Sequence, residues 1–177
     1  MKSILMSIRP EWCKKIFDGE KTIEVRKTRP LIDMPFKVLV YCTKAKHIPE
    51  DGLYFLPNDK QLYLGCKKKD LGFVCLEGDF RNGKVIGEFV CDKIDEYEAN
   101  ERGWYIYPQD ETCLLCDEIA HYGKGKPLYG WHITEPKLFD KPRELTEFTL
   151  GRGFIAGRFP LTRPPRSWCY VEGGDRE

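Results

Sequence analysis

The stretch Gly19-Glu20-Lys21-Thr22-Ile23-Glu24-Val25-Arg26 decides how the chain reads. Apolar Ile23 and Val25 alternate with polar Thr22, Glu24 and Arg26, the period-2 pattern of a strand. The alternation predicts that Ile23 and Val25 face the core. Thr22, Glu24 and Arg26 then share the opposite face, with Lys21 at the strand mouth. Two cations and a carboxylate are thereby gathered on one rigid element. Isolated surface ion pairs contribute only about 0–1 kcal/mol, so such a cluster points to a ligand more than to stability. Arg26 offers a planar fork for a phosphate or a base edge. Lys21 offers a point charge, and Glu24 accepts from an exocyclic amine or moves a proton. The structural alternative has Glu24 and Arg26 paired along the strand and Lys21 solvated.

Working outward, Ser3–Ile8 reads as an apolar strand. Pro10 suits the first turn of a helix that presents Trp12, Cys13, Ile16 and Phe17 at helical spacing and stops at Gly19. Lys37–Thr43 (KVLVYCT) is a second apolar strand. Between 44 and 83, strand-like pieces lie near Leu62–Leu64 and Phe73–Leu76. Asn82-Gly83 is a hairpin-type turn leading into the strand Val85–Cys91. Residues 94–111 read as loop, and Thr112 to about His121 as a helix ended by Gly123. Leu128–Ile133 and Ser167–Val171 read as strands, with a short turn or helix in Lys141–Phe148. Strand, helix, then several strands with one later helix is an α+β order, built on a mixed or antiparallel barrel rather than a doubly wound sheet.

The 177 residues suit one domain, and 32% charged against 41% apolar residues suits a soluble globular chain. A net charge of +1 supplies no global field toward nucleic acid or anionic lipid, so any such binding rests on a local patch. The first thirty residues are such a patch, with eight basic residues against four acids. The opening MKSILMSIRP does not read as a signal peptide, and no segment approaches the roughly 20 apolar residues of a membrane span. The eight cysteines, several in apolar strands, read as reduced buried thiols of a cytoplasmic protein.

Other constellations are weaker. Trp168 and Tyr170 share one face of the last strand beside Arg166, and with Tyr41 and either Trp131 or His132 they are candidate stacking surfaces for splayed bases. Trp131 reads better as core, and His132 as a satisfied, partly buried histidine. Cys113 and Cys116 form a CxxC near His121, but zinc takes about four ligands and no second pair follows. The expectation is two buried helix cysteines and no metal. Lys67-Lys68-Lys69 reads as a solvated loop face. Nothing resembles a phosphate-cradling glycine loop, an HExxH or a nucleophile elbow, so kinase, dehydrogenase, zinc-protease and serine-hydrolase chemistry has no support, and no cofactor is expected.

The unit SILMSIRPEWCKKIFDGEKTIEVRKTRP resembles the ASCH domain family, whose hallmark is G-x-K-x-x-E-x-R after the first helix. Gly19, Lys21, Glu24 and Arg26 match it position for position. KVLVYCT, KVIGEFVCDKI and YGWHI look like further family elements, and the closing RPPRSWCYVE resembles ends of phage- and prophage-borne ASCH proteins. The resemblance implies a single PUA-like β-barrel domain, with 44–83 as an insertion and a groove lined by the Lys, Glu and Arg positions. It also implies RNA or a nucleotide as partner, through Lys21, Thr22, Glu24 and Arg26 together with Arg9, Tyr41, Arg166 and Trp168. If the chain is an enzyme, an RNA-directed hydrolase, Lys21 and Glu24 are the catalytic candidates. One branch of the family looks like an acetylcytidine amidohydrolase with a threonine nucleophile two residues before the arginine. Here Glu24 stands at that position, so acetylcytidine turnover is not expected. A phage-related regulator binding another protein is the remaining alternative.

Overall fold

The computed structural model describes residues 3–46, 52–56, 60–65, 79–151 and 157–172. Strand β1 (Ser3–Ile8) is buried along its whole length and leads into helix α1 (Pro10–Phe17). Pro10 occupies the first turn, where its missing N–H removes no bond. Cys13 and Ile16 form the buried stripe of α1. Gly19, at φ +80°, turns the chain out of the helix, a backbone region that costs other residues about 1–2 kcal/mol. Strand β2 (Ile23–Arg26) follows, then β3 (Phe36–Cys42).

Strands β4 (Leu53–Leu56), β5 (Gln61–Leu64) and β6 (Asp79–Phe80) lie inside 44–83 and form a sheet of their own, in the order β5-β4-β6. The chain then runs through β7 (Val85–Cys91), β8 (Ile94–Tyr97), helices α2 (Gln109–Thr112) and α3 (Cys116–Gly123), β9 (Leu128–His132), β10 (Thr134–Arg143), a 3-10 turn at Leu145–Glu147, β11 (Thr149–Leu150) and β12 (Trp168–Glu172). Six strands make the main sheet, ordered β10-β7-β3-β1-β12-β11, with only β1 and β3 parallel among its pairs. A third sheet has the order β2-β9-β8. The fold is the expected α+β one, mostly strand with three α-helices among the described residues. The strands form three sheets and do not close into one barrel.

Both faces of the main sheet are covered. Ile4, Met6, Val38 and Val40 enter the larger core with Ile16, Phe89 and Trp131. Leu5, Leu39, Tyr41 and Val171 enter a second core with Phe148. That is why β1 and β3 read as continuous apolar runs.

Several expectations are revised. Asn82-Gly83 does turn, with Gly83 at φ +79°, but it joins no hairpin. It hands the chain from β6, which pairs with β4, to β7, which pairs with β3. The Asn82 amide secures the crossing, accepting from the Leu53 N–H at 2.7 Å and donating to the Thr43 carbonyl at 3.1 Å. The helix expected from Thr112 is broken at Cys113, which adopts a left-handed φ of 53°. Cys113 is therefore half-buried between two helices and Cys116 is exposed at the start of α3, so neither is a buried helix cysteine. The strand-like Phe73–Leu76 and the Lys67–Lys69 run lie outside the described residues.

Candidate nucleic-acid interface

The alternation in β2 holds, but the faces are used in an unexpected way. Val25 enters a small core with Tyr97, Tyr105, Ile119 and Leu128. Glu24 lies opposite Trp131 in the β2–β9 pair, and Trp131 belongs to the larger core. Opposed residues share a sheet face, so the polar face of β2 is turned toward the main sheet and α1 rather than to open solvent.

Lys21, Glu24 and Arg26 consequently form a buried network, with side chains 2%, 9% and 10% exposed. Arg26 Nη2 lies 2.9 Å from Glu24 Oε1 and donates to the Ser7 carbonyl at 2.8 Å. Lys21 Nζ lies 3.4 Å from Glu24 Oε2, donates to the Thr112 carbonyl and sits 5.1 Å from the centre of the Trp12 ring. The turn after Gly19 makes this reach possible. Glu20 and Lys21 N–H groups donate back to the Lys15 carbonyl, and the Thr22 N–H docks on the Glu111 carbonyl at the end of α2. Arg26 Nε is buried without a hydrogen-bond partner among the described residues. The network is thus internally satisfied apart from one donor, as buried charges require.

These three residues line a cavity of about 490 Å³. Trp12 and Tyr122 are aromatic members of its wall, and Ser7, Thr43 and Ser167 its aliphatic hydroxyl members. Arg9, Arg166, Glu118 and His121 are exposed members. The lining therefore holds four cations, Arg9, Lys21, Arg26 and Arg166, against two carboxylates, Glu24 and Glu118. Arg166 is placed by its neighbours: the Ser7 hydroxyl donates to the Pro165 carbonyl at 2.7 Å, and the Ser7 N–H to the Ser167 carbonyl at 2.9 Å. Tyr122 has its phenol pKa raised, chiefly by burial, with Arg26 opposing and Glu24 adding to the shift.

Of the residues expected at the site, Lys21, Glu24, Arg26, Arg9 and Arg166 converge on the cavity, and three do not line it. Tyr41 is 2% exposed in the second core, because alternation along β3 sends it to the face away from Val40 and Cys42. Thr22 precedes β2, is exposed, and serves through its backbone. Trp168 packs 5.7 Å from Trp131 and 5.5 Å from Tyr170, ring to ring, and its Nε1 donates to Thr28 Oγ1 at 3.0 Å. His132 pairs with Asp95 at 2.7 Å, and Trp131 is fully buried. Trp12, Tyr122, Glu118 and His121 were not foreseen at the site. The 3.6 period placed Trp12 on α1, but nothing local linked residues 118–122 to residue 24.

A β-rich α+β domain whose helix–turn–strand unit buries a Lys-Glu-Arg network under a cation-rimmed cavity is the class of protein that these features define. The family model described as ASCH domain matches residues 6–143, and the chain belongs to that family. No curated protein matches the sequence. Among solved structures, the ASCH protein from Zymomonas mobilis is similar at 19% identity, covering 96% of this chain and 87% of that one with a TM-score of 0.56. A Tyr-to-Phe variant of the same protein gives 18%, 97%, 91% and 0.58. At this identity the likeness speaks for the fold.

Proposed function

We propose that the chain is an RNA- or nucleotide-binding ASCH module of one domain, with a base held in the cavity and phosphate held at its rim. The observation that carries this reading is the cavity itself. Its volume lies in the range of small-ligand sites, about 300–1,000 Å³, and its lining combines exposed Arg9 and Arg166 with aromatic Trp12 and Tyr122. Base–aromatic stacking is worth about 1–3 kcal/mol per base, and arginine forks suit phosphate. Lys21 and Arg26 act from beneath, since their donors already serve Glu24 and main-chain carbonyls. Binding is favoured over hydrolysis for the same reason: both Glu24 oxygens face cations, which suits holding those cations in place more than taking a substrate proton. Thr22, outside the lining, offers no displaced nucleophile.

The test is fluorescence anisotropy of single-stranded RNA across salt, for wild type and Arg9→Ala/Arg166→Ala. Both arginines are exposed, so the fold is spared. The expected result is weaker binding and a log–log salt slope flatter by about 0.7 for each phosphate no longer neutralised. No binding of RNA or nucleotides by wild type at low salt rejects the reading and leaves a protein partner.

A further inference from the structure

A second cavity, of about 380 Å³, adjoins the first, and Arg9 and Thr43 line both. Its walls are the start of α1, the segment Thr43–Lys46 that follows β3, and Leu64 at the end of β5. Its charges are Arg9, Lys44 and Lys46 against Glu11. Glu11 lies 3.9 Å from Arg9, with both side chains more than half exposed, so little of the positive charge is neutralised. Lys44 and Lys46 are exposed, and neither is ion-paired with a described residue.

The Lys44 stem runs over the Gly83 turn, where a Cβ added at Gly83 would meet Lys44 Cγ at 3.4 Å and Cε at 3.6 Å, ordinary contact distances. Leu64, 38% exposed, gives this compartment an apolar surface. A cationic compartment with one apolar patch, joined to a base-sized pocket through a shared arginine, matches the repeat of a nucleic acid strand: base, phosphate, next base.

We infer that the two cavities form one groove for single-stranded RNA of two or more nucleotides. One base enters the inner compartment, and the phosphate of the adjacent nucleotide is held by Arg9, Lys44 and Lys46 in the outer one. The inference rests on the RNA reading of the inner cavity and adds to it a length requirement, supplied by residues at the edge of the proposed 44–83 insertion.

The experiment is calorimetric titration at low salt with the four nucleoside monophosphates and the four homohexaribonucleotides, against wild type and Lys44→Ala/Lys46→Ala. A thermal melt confirms that the variant folds. The expected result is that wild type binds at least one hexamer more tightly than its monophosphate. The double variant loses that advantage, flattens the hexamer salt slope by about 0.7 per phosphate released, and keeps wild-type monophosphate affinity. A length advantage that survives in the variant, or none in a wild type that still binds monophosphate, overturns the outer subsite and leaves the inner pocket standing. Binding of neither probe by wild type overturns both.

Discussion

Glu24 holds two cations with one carboxylate, Arg26 at 2.9 Å and Lys21 at 3.4 Å, in a place where none of the three side chains is more than 10% exposed. Three charges so deeply buried are tolerable only together, because removing one partner leaves the others uncompensated at about 3–5 kcal/mol. Glu24→Gln keeps the shape and strands two cations. It should therefore lower stability by about 3 kcal/mol or more, which for a chain of this length is about 6–12 °C in Tm. Differential scanning calorimetry checks it, and a melt within 2 °C of wild type, about the shift from 1 kcal/mol or less, would show the network to be solvated instead. The identity of the network was legible in the sequence, since alternation and motif spacing name Lys21, Glu24 and Arg26. Its burial was not. A period of two says which side chains share a face, but not what covers that face, and the cover comes from Ser7, Thr112 and Trp12.

At the scale of elements, Arg81 joins the β5-β4-β6 sheet to the main sheet. It is fully buried, donates to the Phe139 and Asp140 carbonyls of β10 at 2.7 and 2.8 Å, lies 3.0 Å from Asp79 of β6, and stacks 4.5 Å from the Phe55 ring of β4. Burial lowers its pKa, with Asp79 and Asp140 opposing. Arg81→Met should cost about 3 kcal/mol and loosen this junction first. In hydrogen exchange the amides of β4 and β5 should lose protection while β3 and β7 keep theirs. Uniform loss across both sheets would refute the local role. Two of the strands that escaped sequence reading, β10 and β8, share a cause. β10 carries Pro136 and Pro142, residues that argue against a strand unless it lies at a sheet edge with bulges, as β10 does. β8 (IDEY) is also an edge strand, and packs through Tyr97 into a core assembled from distant residues. By contrast β7, both of whose neighbours are strands, has the bounds expected from its apolar run.

At the scale of the whole molecule, pH acts at both ends. Burial alone raises the Asp95 pKa, but hydrogen bonds from Lys93 and His132 outweigh it and hold the carboxyl below 3.8. The unfolded chain then takes up that proton first, so the Asp95 contribution is whole above the ordinary carboxylate value and is lost as pH falls through the lower folded one. At the other end, burial pushes Cys169 from 9.0 to about 11, and Cys91 from 9.0 to about 12. Burial foremost also lifts Tyr97 from 10.0 to about 12. These groups ionise earlier in the unfolded chain, so stability is full below the ordinary thiol value and declines as pH rises toward the folded ones. Urea midpoints across pH should show both limbs. Asp95→Asn should flatten the acid limb, and Cys169→Ala should soften the alkaline limb between 9.0 and about 11. An unchanged profile in either variant would remove that group from the account.

The pairing of β1 with β12, Ser3 opposite Val171, has a consequence for how the protein is made. A ribosome extends a chain by about 5–20 residues per second, so β1 waits on the order of ten seconds or more for its antiparallel neighbour. β3 reaches it sooner and covers only one edge. During that interval the other edge of a wholly buried, largely apolar strand is a row of open donors and acceptors, the feature that recruits foreign strands. Nascent chains of this protein should therefore depend on early chaperone engagement until Trp168–Glu172 emerges from the exit tunnel.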